Sequence, residues 1–325
     1  MKSKKVLLIM CFVFCTSLII QVLAKDNDVK NPKKAIKVAP PSPKISDAER
    51  QTELAMRRKK VADAMDDNSI LIMFSADSKI YTNDVDYHYR QDNNLYYLTA
   101  LKQNGVSLLM VKNGDSVKEM LFVPKRNPQF ETWNGKMYSN EDATRLSGIK
   151  QIYDARYMKS FLTAVAKKES FSSEDGSFSI SNIPETVYLM QGNKREFAKE
   201  NEFAKELGES RVRNAAPIFA ALRLIKSPYE IKIMQHSIDI TSEALMRSMG
   251  MVGRANYEYE VQAEVEYTFR RRNADYWGYP SIVGCGPNAT TLHYVESQGE
   301  ISKGDLLLMD VGAEFDHYTA DVTRT

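Results

Sequence analysis

Cysteine is nearly absent from the 325-residue chain: three occur, Cys11, Cys15 and Cys285. The first two lie in an N-terminal apolar run, and neither follows a convincing small-residue lipobox, so no lipid attachment is expected there. Once that run is removed only Cys285 remains, and no internal disulfide can form even in an oxidising compartment. Cys285 is conceivable as a nucleophile, but its place between Gly284 and Gly286 suits a small filler better. A strong net charge is missing too, since 44 Lys and Arg against 42 Asp and Glu leave +2. The basic residues do not gather into a stripe beside aromatics. A dedicated polyanion partner is thereby excluded, and nucleic-acid binding is not expected. Histidine is scarce at four residues, His88, His236, His293 and His317, which keeps the candidates for imidazole chemistry few.

The N-terminus reads as a targeting segment. Residues 1–5 are basic, residues 6–20 are apolar, and Val22-Leu23-Ala24 has the spacing of a cleavage site. This is the pattern of a signal peptide, residues 1–24, cut after Ala24. Residues 6–24 are also just long enough to serve as an uncleaved anchor. Either way the bulk of the chain is expected to be exported, periplasmic or secreted. Residues 25–45 are Lys/Pro-rich and contain Pro40-Pro41-Ser42-Pro43, so an extended linker without a core of its own is predicted.

Two domains are predicted beyond it, at 46–212 and 213–325. Ser46 and Glu49 have capping-box spacing and open a helix to about residue 65. Residues 69–75 form a buried-type strand. Strands are also expected at 95–101, 106–111, 120–123 and 186–190, with turn signals at Asn104-Gly105 and Asn113-Gly114. Residues 141–146 and 157–168 read as helices and 171–176 as a loop, and the domain closes on a charged segment, 194–213. This is a mixed α/β domain. The second domain opens on Ser227-Pro228-Tyr229-Glu230, which combines an N-cap serine, a proline at the first helical position and a glutamate at the third. Ile231, Met234, Ile238, Leu245 and Met249 follow at helical spacing, and Gly250 is the expected stop. A second helix spans about 257–272, capped by Asn256. Short strands at 281–283, 292–295, 306–311 and 318–323 complete an α+β pattern.

The chemistry concentrates in the last of these strands. With a turn centred on Phe315 and Asp316, Asp310 stands opposite Asp321, with Cβ atoms about 4.5–5.5 Å apart. Two carboxylates so placed repel unless a cation lies between them or one holds a proton. Asp310 follows four apolar residues, and a buried carboxylate alone is costly. A hard divalent metal bound through oxygen is the leading explanation. Two exposed aspartates at strand ends, with the register off by one, fit the same spacing. His293, in the apolar run Leu292-His293-Tyr294, is a candidate to hydrogen-bond a substrate carbonyl or to steady developing charge. A core histidine satisfied by backbone fits it as well. His317 reads as solvent-facing, and His88 and His236 have no identifiable chemical neighbours. Thr323 follows Asp321 by two, shares its face and can hydrogen-bond the carboxylates.

Met309-Asp310-Val311-Gly312-Ala313-Glu314 with Tyr318-Thr319-Ala320-Asp321-Val322-Thr323-Arg324-Thr325 resembles the first metal-ligand segment of the Xaa-Pro aminopeptidases (aminopeptidase P). These belong to peptidase family M24, the creatinase/methionine-aminopeptidase "pita-bread" superfamily. Leu224-Ile225-Lys226-Ser227-Pro228-Tyr229-Glu230-Ile231 is similar to the segment that opens the family's catalytic domain. Ile282-Val283-Gly284-Cys285-Gly286 with Leu292-His293-Tyr294 is similar to the segment that carries its active-site histidine. Tyr89-Arg90-Gln91-Asp92, Leu95-Tyr96-Tyr97-Leu98-Thr99 and Glu131-Thr132-Trp133-Asn134-Gly135 resemble its N-terminal domain. The resemblance covers most of the chain from about residue 50 onward.

The resemblance implies an α/β creatinase-like N-terminal domain followed by the first half of an α+β pita-bread catalytic domain. It implies two divalent metal ions, commonly manganese, with Asp310 and Asp321 as the first two ligands. It implies a substrate-binding and transition-state role for His293. Trp133 matches a tryptophan that reaches a neighbouring subunit's active site in tetrameric relatives, so a dimer or tetramer is expected. The implied activity is removal of the N-terminal residue from peptides with proline second. A prolidase acting on Xaa-Pro dipeptides is the near alternative, and a non-catalytic pita-bread peptide-binding module the distant one. The family's remaining ligands, one His and two Glu, match no residue of the chain, so as given it is expected to be inactive.

Overall fold

An unbroken apolar strand needs cover on both faces, and β1 (Ser69–Phe74) has it. The computed structural model describes residues 36–192, 197–208 and 211–325. The expected signal peptide and residues 25–35 of the linker lie outside the described residues, as do 194–196 and 209–210 of the charged segment. The described chain divides into two units, Ser42–Ile233 and Met234–Thr325, the latter joined by residues 36–41.

In the first unit β1 is followed by a small hairpin, β2 (Ile80–Thr82) and β3 (Val85–Asp86). Next come β4 (Ser107–Asn113), β5 (Ser116–Val123) and β6 (Gln151–Asp154). A second small hairpin, β7 (Phe171–Ser172) with β8 (Ser179–Ile180), stands where a loop was expected, and β9 (Thr186–Leu189) and β10 (Val212–Asn214) complete the strands. The main sheet has the order β10-β9-β1-β4-β5-β6. Its centre is antiparallel through β1, β4 and β5, with β9 parallel to β1 and β6 parallel to β5. The helices are α1 (Asp47–Asp63), α2 (Asn93–Thr99), α3 (Pro128–Asn134), α4 (Asn140–Ser147), α5 (Met158–Lys167), α6 (Ala198–Leu207) and α7 (Ala216–Leu224). Alternate strand residues feed two cores. Leu71, Met73, Leu108, Met110 and Leu121 pack with Val61 of α1 and with Leu95 and Leu98 of α2. Ile70, Ile72, Leu109, Met120 and Phe122 pack with Phe161 and Val165 of α5 and Phe203 of α6.

The expected strand at 95–101 is helix α2 instead. Asp92 caps it, its side chain accepting from the Asn94 and Leu95 amides, and Ala100 ends it at φ 55°. Residues 94–99 are all buried, so no apolar/polar alternation exists to separate helix from strand.

In the second unit α8 (Pro228–Val252), whose residues up to Ile233 count with the first unit, is opened by a reciprocal cap. The Glu230 amide donates to Ser227 Oγ at 3.2 Å, and the Ser227 amide donates to Glu230 Oε2 at 2.8 Å. The helix continues through Gly250, and its inward stripe differs from the expected one. Ile233, Ile240 and Ala244 are fully buried, whereas Ile231, Ile238 and Met249 are 52%, 39% and 47% exposed. Ser237, Thr241 and Ser248 also face inward with no exposure, and a pattern read from apolar residues alone passes over them. Helix α9 (Glu258–Arg271) starts from Tyr257 without a side-chain cap, so Asn256 is not the cap; its amide donates to Glu260 Oε2 at 3.1 Å.

Six short strands follow: β11 (Tyr276–Trp277), β12 (Ile282–Cys285), β13 (Leu307–Val311), β14 (Ala313–Phe315), β15 (Tyr318–Thr319) and β16 (Val322–Arg324). They form two three-stranded sheets, β12-β13-β16 and β11-β14-β15. Val261, Val265 and Phe269 of α9 and Ile240 of α8 pack on Val283, Met309 and Val311. The described end of the linker is tied into this unit, with Ala39 buried and its amide donating to Glu243 Oε2 at 2.7 Å. Glu243 also receives a two-pronged contact from Arg272, at 2.7 and 2.8 Å, and one from Arg247 at 2.8 Å. Burial would raise its pKa, but the Arg272, Ala39 and Arg247 hydrogen bonds outweigh burial and bring it down to about 2.

Candidate metal centre

The two aspartates sit where the chain crosses from one small sheet to the other. Asp310 is half-buried in β13, and Asp321 is exposed in the link between β15 and β16. The turn between the strands is centred on Asp316 and His317, both left-handed at φ 51° and 65°. Two consecutive left-handed residues make the hairpin turn whose twist matches the strands. The expected centre on Phe315 and Asp316 is therefore displaced by one residue, which moves every cross-strand partner by two. Asp310 stands opposite Thr323, not Asp321. A shift of two preserves alternation, so the aspartates become diagonal neighbours, a relation that spans about 7–8 Å between backbones.

What joins them is a residue that the motif does not include. Tyr279 Oη lies 2.6 Å from Asp310 Oδ1 and 3.3 Å from Asp321 Oδ1. A phenol has one proton to donate, so it bonds the nearer Asp310 and meets Asp321 through a longer contact. Burial first, then the Asp310 hydrogen bond and the charges of both aspartates, push the Tyr279 pKa far above the ordinary tyrosine value. The hydroxyl accordingly stays protonated and the carboxylates remain its acceptors.

Two glycines make this approach possible. A Cβ on Gly312 would fall 1.7 Å from the Ala320 carbonyl oxygen and 3.0 Å from Tyr279 Cε1. A Cβ on Gly278 would fall 1.9 Å from Thr319 Cγ2. The Gly278 amide in turn donates to the Gly312 carbonyl at 2.9 Å.

Two carboxylates with a shared hydroxyl suit a hard cation in donor chemistry but not in number, since such ions take about six oxygen ligands. Among the described residues no group of three or more His, Cys, Asp or Glu is placed to hold a metal. Thr323 faces Asp310 across the ladder, yet no described hydrogen bond runs from its hydroxyl to either carboxylate.

His293 is not in a strand. It is exposed in the irregular stretch after a short 3-10 turn, Gly286–Thr290, and no described hydrogen bond joins it to either aspartate. The stretch takes its bonds from Glu258 instead of from a neighbouring strand. Oε1 of Glu258 accepts from the Cys285 amide at 2.6 Å and Asn288 Nδ2 at 3.1 Å. Oε2 accepts from Tyr294 Oη at 2.7 Å and the Gly299 amide at 2.8 Å. Burial works to raise the Glu258 pKa, but those four donors hold it below the ordinary value. Trp133 lies in the first unit, 85% exposed near the end of α3. His236 is buried at 4% exposure with its ring edge-on to Phe315, the centroids 4.6 Å apart, and neither ring nitrogen has a hydrogen-bond partner among the described residues. His317, expected in solvent, is half-buried in the turn.

Residues 54–172 match the aminopeptidase P N-terminal domain and residues 232–325 match metallopeptidase family M24. The chain is 32% identical over 273 residues to the Xaa-Pro aminopeptidase of Haemophilus influenzae, covering 84% of this chain and 60% of that protein. It is 29% identical over 287 residues to human Xaa-Pro aminopeptidase 3, covering 85% and 55%. Among solved structures, Escherichia coli aminopeptidase P in its low-pH form superposes with a TM-score of 0.74 at 26% identity, over 87% of this chain and 62% of that one. A putative aminopeptidase P from Bacillus anthracis gives 0.71 at 27% identity, over 84% and 64%. The chain thus spans less than two thirds of the length of these relatives.

Proposed function

Since the chain belongs to the aminopeptidase P family, its N-terminal domain joined to part of a metallopeptidase family M24 domain, we propose that it serves a metal-dependent exopeptidase. The substrate is a peptide with proline in second place, and the bond cleaved precedes that proline. The observation that carries the reading is the convergence of Asp310 and Asp321 on one protonated hydroxyl, that of Tyr279. Asp310 and Asp321 would hold divalent metal, manganese by the family resemblance. Bound metal supplies Lewis acidity toward the scissile carbonyl and activates water. Tyr279 keeps its proton and fixes the orientation of the Asp310 carboxylate. His293, exposed and free of described hydrogen bonds, is available to donate to a substrate carbonyl as charge develops there. Trp133, with most of its ring exposed, suits a role at a neighbouring subunit of an oligomer. The N-terminal basic-then-apolar pattern supports export.

Two carboxylates are a fraction of a hard cation's ligands, so the chain as given is expected to bind metal weakly and to turn over little substrate. Calorimetric titration with Mn2+ tests the site: weak binding that Asp310→Ala abolishes supports it, and binding unaffected by that change sinks it. Turnover of an Xaa-Pro peptide that Asp310→Ala abolishes would overturn the inactivity while supporting the enzyme. Comparing Xaa-Pro dipeptides with longer peptides separates prolidase from aminopeptidase. The short donor set favours one further reading, a peptide-binding module without catalysis, which predicts peptide binding undiminished by chelator.

A further inference from the structure

We propose that Glu258 is the positioning residue for His293. The inference rests on the reading above, in which His293 meets substrate. The stretch from Gly286 to Gly299, which leaves β12 after Cys285, lies outside the strands and is largely exposed. The Gly286 amide donates to the Leu306 carbonyl at 2.9 Å, and four further donors meet at one carboxylate with no exposure of its own. The Cys285 amide binds where the stretch begins, the Gly299 amide where it ends, and Asn288 and Tyr294 in between. An ionised carboxylate offers about four lone-pair sites, and four donors fill them.

The anchor is rigid. Glu258 is the first residue of α9, where the helix dipole favours a negative charge. Its own amide donates to the Gly299 carbonyl at 3.0 Å, and the Ile301 amide donates to the Asn256 carbonyl at 2.8 Å. Val261 and Val265, one and two turns on, are fully buried in the core. The loop closes tightly enough that a Cβ on Gly299 would lie 2.8 Å from Glu258 Oε1. His293 is the immediate neighbour of Tyr294, so the hydroxyl-to-carboxylate bond is one residue from the imidazole. The ring makes no described bond of its own, which leaves the backbone at Tyr294 to set where it points. Placement matters at this scale, because a displacement of about 1 Å at a reacting group can cost about a hundredfold in rate.

The test uses the full chain with two separate changes. Glu258→Gln keeps the shape but replaces one acceptor oxygen with a donor. Tyr294→Phe removes one donor and leaves the carboxylate intact, so it serves where Glu258→Gln fails to fold. His293 ring resonances are identified by their loss in His293→Gln. In each folded variant those resonances are expected to move, and amides of residues 291–298 to exchange about tenfold faster or more. Amides of β13 and of Ile282 to Gly284 in β12, and the Mn2+ titration, should match the unchanged protein. A loop staple with no positioning role would lower stability yet leave the His293 resonances in place, and that result overturns the proposal. Adding an Xaa-Pro peptide to the unchanged chain separates the two claims. If His293 does not respond to peptide, the functional reading fails, while the variant spectra still decide whether Glu258 places the ring.

Discussion

His236 carries the sharpest stability prediction. A neutral imidazole has one donor and one acceptor nitrogen, and both are buried here without a partner among the described residues. Leaving such a group unsatisfied costs about 1–3 kcal/mol. His236→Phe removes both polar atoms and keeps the edge-on contact with Phe315, while fitting the larger ring costs up to about 1.5 kcal/mol. The expected net is a gain centred on about 1 kcal/mol, and each kcal/mol moves the melting temperature of a domain this size by about 4–8 °C. Burial also lowers the His236 pKa below its ordinary 6.5, against a smaller opposing effect of the Asp239 charge. Below pH 6.5 the unfolded chain therefore takes up a proton that the folded one resists. The stability contribution is full above that pH and is lost as pH falls through it. Urea unfolding followed by tryptophan fluorescence reads the right unit, because Trp277 is half-buried there and Trp133 is already 85% exposed when folded. The variant should be more stable at pH 8 and show a shallower loss between about pH 7 and 5. A variant less stable at pH 8, or one with the unchanged slope, refutes the reasoning.

Gly312→Ala should cost on the order of 4 kcal/mol or more, because its Cβ meets backbone at 1.7 Å and not a movable side chain; near-normal urea stability would contradict this. Tyr279→Phe should cost about 1–3 kcal/mol without metal, and saturating Mn2+ should narrow the gap as the cation takes over the neutralising role; an unchanged gap counts against the site. In the first unit, burial with the added charge of Asp92 pushes the Glu200 pKa from 4.5 up to about 7. Its stabilisation is full below pH 4.5 and is lost as pH rises to about 7, so Glu200→Gln should flatten that decline in thermal melts, and parallel declines in both proteins would refute it.

The readable parts of the fold were those written locally. Ser46 and Ser227 announce their helices because a cap needs only residues three apart, and Ser46 Oγ does accept from the Glu49 amide. The strand at 69–74 is readable because burial on both faces demands an unbroken apolar run. Where burial is complete, the same signal loses its meaning: Leu95-Tyr96-Tyr97-Leu98 is as apolar as a central strand, and only the Asp92 cap decides for helix. On α8 the difficulty is reversed. The Thr241 hydroxyl accepts from the Ala313 amide at 3.0 Å and donates to the Ser237 carbonyl at 2.8 Å. A buried hydroxyl with both needs met packs as well as a methyl, but it does not look like core in a list of apolar positions.

The site was half legible for a related reason. Asp310 and Asp321 share a hairpin, so an argument about alternation reached both, although the displaced turn puts Thr323 and not Asp321 opposite Asp310. Tyr279 stands 31 and 42 positions from its partners, and Glu258 lies 27 to 41 positions from its donors. No period or cap spacing spans such intervals. The local trace was indirect: Gly278 and Gly312 have no room for a side chain, and they flank the tyrosine and the aspartate respectively. Repulsion between two carboxylates is relieved by a cation between them or by a proton on one of them. The fold supplies a third answer, a phenol held protonated by its burial and by the two aspartates it bridges. The hairpin can therefore close before any cation arrives, unlike small metal domains whose folding energy is the metal's own. A metal bound there, as proposed, would join a pair already brought together.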